Sequence, residues 1–412
     1  MQLRPHQQRA FDAMQSNNAG QIIVPTGGGK TYIMIADTLA RAAQGSTTVV
    51  VAPRILLANQ LCEEFMEFVS ATWTHVCHAH SGETHHFSTT KADKIALFAN
   101  TARAASESCI IFTTYHSLHR VVESGIDIDT IYFDEAHNGC GKHFFTSVFA
   151  TAQYAKRRYY FTATPKTGRG VSVARGMNNT DVWGGVLCNV PAQELIASGA
   201  IVPPKVVPFE TNRTRNKVNA HEVDADNLRD MFEQLDVFQN PKVLVAAPSS
   251  KVLGNMLGHT TILEYFYEKG YDVMHITSKF GAIINDKKVG REEFFKTLQE
   301  WGADDTRKFV IFHYSILSEG INVPGLTHTI LLRNLPIVEM AQTIGRVIRV
   351  HKDDRAAVAE GRIPAGAFHL YKKQEGVVTM PTGYKMGNAI AARLQNVVNQ
   401  IFLEGIPPLA YC

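Results

Sequence analysis

The chain has 412 residues, 45% of them apolar and 19% charged, with a formal net charge of +3. At a soft prior of roughly 150 residues per domain, this composition describes two or three folded domains and excludes a disordered chain. No run of about 18 apolar residues occurs, so no membrane-spanning helix is expected, and so small a charge permits a polyanionic partner without arguing for one.

The chain opens Met1-Gln2-Leu3-Arg4-Pro5-His6, which lacks the basic-then-apolar pattern of a secretory leader. Gln21-Ile22-Ile23-Val24 reads as a buried strand and residues 31–43 as a helix. A strand over 48–52 and a helix over 56–69 follow, then apolar strands at 109–112, 131–133 and 159–161. Strands alternating with helices imply parallel pairing through right-handed crossovers. The alternation pauses at Pro203-Pro204, where neither a helix nor a central strand can continue. A second series then begins, with strands at 243–246, 272–276, 309–312 and 327–332 and helices at 253–268, 292–301 and 338–348. This divides the chain into a first α/β lobe over 1–205, a linker over 206–220, a second lobe over 221–375 and a helical tail over 376–412. The six cysteines are scattered with no C-x-x-C pair, which favours reduced thiols and a cytosolic setting.

Three patterns carry chemistry. After the first strand comes Pro25-Thr26-Gly27-Gly28-Gly29-Lys30-Thr31, opening a helix. Glycines let backbone N–H groups converge on phosphate oxygens, and the helix dipole points at the same place. Lys30 is placed to reach the β- and γ-phosphates of ATP, and Thr31 to offer a hydroxyl to Mg²⁺. Val24 stands where the strict phosphate-loop pattern has glycine. The strand at 131–133 delivers Asp134-Glu135-Ala136-His137 at its C-terminal end, where ligands bind open α/β sheets. Asp134 suits Mg²⁺, and Glu135 suits orienting and deprotonating a water. In the second series, Gln342, Arg346 and Arg349 fall at i, i+4 and i+7 and so share one helix face, two guanidiniums and an amide suited to a developing phosphoryl charge.

With these motifs in order, the chain resembles the superfamily 2 helicases of the DEAD/DEAH type. That resemblance implies two tandem RecA-like parallel-sheet lobes with the ATP site in the cleft between them. It implies adenine reading by Leu3-Arg4-Pro5-His6-Gln7, with Arg4 near the nucleotide and Gln7 facing the base. It implies contact with the nucleic-acid backbone at Pro53 and Arg54, at Thr113 and Thr114, and at Ser249 and Ser250. For Thr113-Thr114, a turn or capping role is the competing reading. It implies coupling of hydrolysis to grip through His137, Thr162 and Thr164, nucleotide approach at Gly320 with Glu319 holding its loop, and an arginine finger at Arg349 with Arg346 as partner. Asn322 stands where many relatives carry Asp. The opening segment, the glycine loop and Glu319-Gly320-Ile321-Asn322-Val323-Pro324 look most like the branch of phage UvsW-type helicases, XPB-like proteins and restriction-enzyme motor subunits. The implied activity is an ATP-dependent DNA helicase or translocase on duplex, forked or branched DNA, in a bacterial or phage-infected cytoplasm. An RNA helicase, a translocase that never separates strands and an ATP-gated DNA clamp are the alternatives.

One cluster stands outside this scheme: His75, Cys77, His78, His80, His85 and His86. Its spacing fits no common zinc finger, and a polar strand end and loop is the expected reading. Residues 281–288 read as a loop.

Overall fold

The structure is a computed structural model that describes residues 2–41, 45–70, 74–82, 84–237, 239–314, 323–408 and 410–412, without the side chains of 236 and 237. The chain forms two compact units: Met1–Pro191 with Pro407–Cys412, and Ala192–Ile406.

The first unit is built on β1 (Ala19–Ile23), β2 (Thr47–Ala52), β3 (Thr74–Ala79), β4 (Phe87–Ser88), β5 (Ser108–Thr114), β6 (Thr130–Phe133) and β7 (Arg157–Thr162). After the two-residue β8 (Lys166–Thr167), β9 (Val186–Asn189) completes a sheet of order β4-β3-β5-β2-β6-β7-β1-β9. Every pairing in it is parallel. Val49, Val50 and Val51 are fully buried, as are Ile131, Tyr132 and Phe133, because a central parallel strand is covered on both faces. The core clusters around Ile111, Phe133, Tyr160 and Trp183, with the rings of Phe133 and Tyr160 stacked 4.9 Å apart.

The second unit contains β10 (Pro204–Glu210), β11 (Lys242–Ala246), β12 (Asp272–Thr277), β13 (Gly281–Ile284), β14 (Lys287–Val289), β15 (Phe309–His313), β16 (His328–Leu331) and β17 (Gly376–Thr382). Their order is β10-β17-β16-β11-β15-β12-β13-β14. The first six strands pair in parallel, and β13 and β14 add an antiparallel hairpin at the edge. Residues 281–288 are therefore strands with a turn. Asn285 and Asp286 both have positive φ, 43° and 64°, as a two-residue hairpin turn requires. Asn285 bonds Asp272 and Val273, and Tyr267 bonds Asp286, so the tip is pinned beside the N-terminal end of β12.

Three sequence boundaries move. The linker expected at 206–220 begins inside β10, which tolerates Pro204 and Pro208 because it is an edge strand with only β17 beside it. The tail expected to be helical over 376–412 begins with β17 and only then forms the helix Lys385–Val398; its last residues form β18 (Ala410–Tyr411), which pairs with β8 in the first unit. The single helix expected at 253–268 is two, Ser250–His259 and Ile262–Glu268. Thr260 breaks it: its backbone is extended and its hydroxyl turns back onto the Met256 carbonyl.

Candidate nucleotide-binding site

The glycine-rich turn leaves β1 and enters the helix Lys30–Ala40. Gly27 and Gly29 take φ values of 89° and 77°, a region that favours glycine. The turn closes on itself through Gly28 N–H to Pro25 O at 3.0 Å, and Val24 N–H reaches Thr162 O on β7 at 3.0 Å. Behind the loop, His6 Nε2 lies 2.8 Å from Gly28 O, and Gln7 Nε2 donates to Gly28 O and Gly29 O at 3.3 and 3.2 Å. Gln7 Oε1 accepts the Arg4 N–H at 2.9 Å. Gln7, expected to face the base, holds protein backbone at both ends of its amide and so buttresses the phosphate loop.

Lys30 and Glu135 meet across this loop, Nζ to Oε1 at 2.7 Å, with side chains only 11% and 9% exposed. At such low exposure the attraction is weakly screened. Glu135 holds a left-handed backbone, φ 45° and ψ 53°, in the turn from β6 into Ala136–Cys140. A non-glycine residue pays for that conformation, and such strain concentrates at functional sites. Asp134 is buried, its N–H bound to Val51 O at 2.8 Å and its carbonyl taking the Tyr115 hydroxyl at 2.9 Å. Burial, then the neighbouring Glu135 carboxylate, pushes the Asp134 carboxyl up, and Lys30 opposes this. A divalent cation would reverse that balance.

The third piece links β6 to β7. His137 Nδ1 lies 2.9 Å from Thr162 Oγ1 and 3.4 Å from Thr164 Oγ1, and Thr162 Oγ1 also accepts Thr164 N–H at 3.0 Å. All three residues are buried, and burial lowers the His137 pKa to about 4. His137 also stands 3.6 Å from Glu135 Oε2, so one chain of contacts runs from Lys30 through Glu135 and His137 to Thr162 and Thr164.

The residues assigned to backbone contact are placed unevenly. Pro53 and Arg54 lie half-buried where β2 passes into the helix Ile55–Met66. Thr113 is fully buried with its hydroxyl on Ala79 O at 2.9 Å, and the Thr114 hydroxyl accepts Ser117 N–H at 3.3 Å. The Thr113 hydroxyl thus bonds across to the end of β3, the Thr114 hydroxyl takes a turn role at Ser117, and the neighbouring His116 is exposed. In the second unit, Ser249 caps the helix Ser250–His259 by accepting Val252 N–H.

Gln342 and Arg346 are buried on the helix Ile337–Val347. Arg349 lies beyond its end, in an isolated bridge to Ile201, so the shared helical face inferred for all three holds only for the first two. A proximity the sequence did not signal is His313, fully buried at the end of β15, with its pKa held well down by burial and by Arg346 and Arg333 beside it. Glu319, Gly320 and Asn322 lie outside the described residues.

The histidine cluster lies, as expected, on the end of β3 and the loop after it, with His75, His85 and His86 exposed, but its centre is packed. His78 and His80 are buried, 2.9 Å apart at Nδ1 and Nε2, and His78 stacks on Phe112 and His86. Among the described residues, the one group with metal-ligand spacing is Asp305, His351 and Asp353, and Lys372 already bridges its two carboxylates. No described helix is long and apolar enough to cross a membrane.

Residues 1–167 match the family described as type III restriction enzyme, res subunit. No curated protein sequence matches the chain. Among solved structures, the ATP-dependent type ISP restriction-modification enzyme LlaBIII bound to DNA matches with a TM-score of 0.71 and 17% identity, over 97% of this chain and 30% of that one. A putative HsdR subunit fragment of a type I restriction enzyme from Vibrio vulnificus matches at 0.61 and 15% identity, over 99% and 68%. Dbp5 of S. cerevisiae, bound to RNA and ADP BeF3, matches at 0.59 and 14% identity, over 100% and 90%. The chain spans about 30% of the type ISP enzyme it matches, and at these identities the likeness is one of fold.

Proposed function

We propose that this superfamily 2 helicase-type motor hydrolyses ATP to move along or remodel duplex or branched DNA with little sequence preference. The observation that carries the reading is the continuous chain of contacts from Lys30 through Glu135 and His137 to Thr162 and Thr164. It joins a phosphate-binding loop to a second strand end, the connection a motor needs between hydrolysis and grip. A turn with Gly27 and Gly29 at positive φ fits a triphosphate, and Lys30 would hold its outer phosphates. Asp134 and Thr31 are oxygen donors suited to Mg²⁺, which would neutralise phosphate charge. Glu135 orients and deprotonates the attacking water, and Arg346 and Arg349 stabilise charge on the transferred phosphoryl group. Contact with the backbone and not the bases would leave little sequence preference.

A second reading, an RNA-dependent motor, is favoured by the likeness to Dbp5 bound to RNA, along 90% of that chain. A non-unwinding translocase and an ATP-gated clamp share the same site. The test is ATP turnover with duplex DNA, forked DNA and single-stranded RNA, beside strand displacement on the fork. DNA is expected to stimulate turnover most; stimulation by RNA alone overturns the DNA assignment. Glu135→Gln is expected to lower turnover by about 100-fold or more while ATP still binds. Wild-type turnover in that variant would remove Glu135 from the chemistry.

A further inference from the structure

Lys373 has only 8% of its residue surface exposed. A buried lysine is expensive unless its N–H groups are bonded. Its Nζ donates to the carbonyl of Leu326 at 2.6 Å and to the carbonyl of Arg349 at 2.8 Å. Its own N–H donates to Asp354 Oδ2 at 3.0 Å, beside Lys372 N–H on Oδ1 at 2.7 Å. One side chain therefore ties together the segment entering β16, the peptide just past the arginine-bearing helix, and the segment entering β17.

Arg349 lies beyond the hydrogen-bond ladder of the helix Ile337–Val347, so its peptide is held from outside the helix. The Lys373 tie adds to two others: Val202 N–H donates to Ile348 O at 2.8 Å, and Ile201 bridges Arg349. β17 passes so close that a Cβ on Gly376 would lie 2.5 Å from Val347 O. The charged and titratable groups facing Lys373 are Arg349, Asp354 and His328. Burial, then Arg349, lowers the Lys373 pKa to about 7. The tie survives that titration, since a neutral amine keeps two N–H groups for two carbonyls.

We propose that Lys373 is a positioning residue for phosphoryl transfer, clamping the Arg349 peptide to the segment entering β16 so that the Arg349 guanidinium is presented in one geometry. This rests on the reading of Arg349 as the group that stabilises the transferred phosphoryl. Lys373 touches no reacting atom; it acts through Arg349. A loosened clamp lets the guanidinium wander, and misplacement by about 1 Å costs roughly tenfold to 100-fold in turnover.

The test is a double-mutant cycle on the full chain, with ATP turnover measured without polynucleotide and with saturating DNA. Lys373→Met keeps the stem and removes the N–H groups. It is expected to lower kcat by about tenfold with the KM for ATP within about twofold. Arg349→Ala is expected to lower kcat by about 100-fold. The double variant should be no slower than Arg349→Ala, because the clamp then has nothing to position. A further tenfold or so loss in the double variant would mark Lys373 as a general structural strut and overturn the inference. Wild-type kcat in Arg349→Ala would remove the underlying reading of Arg349, and the inference with it. If circular dichroism shows Lys373→Met unfolded, Lys373→Gln, whose shorter side chain keeps polar N–H groups but loosens the reach to both carbonyls, replaces it in the same cycle. A loss of kcat in Lys373→Gln that adds in full to that of Arg349→Ala would equally refute the clamp.

Discussion

Gly29 is a position where the phosphate loop tolerates little change. Alanine there meets two penalties that the structure separates. The backbone stands at φ +77°, and an added Cβ would lie 2.3 Å from Gln7 Nε2. The left-handed conformation costs a non-glycine residue about 1–2 kcal/mol. The contact requires the Gln7 amide to move by about 1 Å, to reach ordinary van der Waals distance. That amide is fixed at both ends, by Arg4 N–H and by two loop carbonyls. Breaking its two long bonds to the loop adds about 1–2 kcal/mol at the lower end of hydrogen-bond values. Gly29→Ala should therefore destabilise the first unit by about 2–4 kcal/mol. In a Gln7→Ala background only the backbone part, about 1–2 kcal/mol, should remain. Urea unfolding followed by tryptophan fluorescence reads this directly, with Trp301→Phe leaving only the tryptophans of the first unit. An equal penalty in both backgrounds would refute the reasoning, because Gln7 would then not be what excludes a side chain at residue 29.

Two other perturbations probe the same unit. Thr162→Val keeps the shape but removes the hydroxyl that meets His137 and accepts Thr164 N–H. It should destabilise by about 1–3 kcal/mol and weaken polynucleotide stimulation of turnover by about tenfold, with the KM for ATP nearly unchanged. Full stimulation in a folded variant would break the proposed link. Acid should also weaken this unit. Burial holds His137 and His78 neutral, with pKa lowered to about 4 and about 3. The unfolded chain protonates such groups near 6.5, so between about pH 6.5 and 4 it binds more protons than the native state, and stability falls as pH falls through that window. His78→Phe should flatten the dependence of the urea midpoint on pH; an unaltered slope would exclude His78 as a contributor.

The local patterns were legible before any tertiary contact was known. A strand ending in glycines and Lys30-Thr31, a strand ending in Asp134-Glu135, and alternating apolar periods are short-range patterns. They follow from what a phosphate-binding turn and a buried parallel strand demand of neighbouring residues. Short or mixed strands such as β3, β9 and β17 were less legible, because periodicity is weak over four to seven residues and a histidine-rich strand looks polar until its neighbours bury it. Tertiary structure alone decided where polar ends point. Gln7 turns onto loop carbonyls, and the Thr113 hydroxyl turns inward onto Ala79. Arg349 falls beyond its helix because the chain is drawn into a bridge with Ile201, and Lys373 becomes its tether across 24 residues of sequence. Periodicity fixes which residues share a face only while a helix lasts. Where it ends, and which buried donor takes up its last carbonyls, depends on segments distant in sequence.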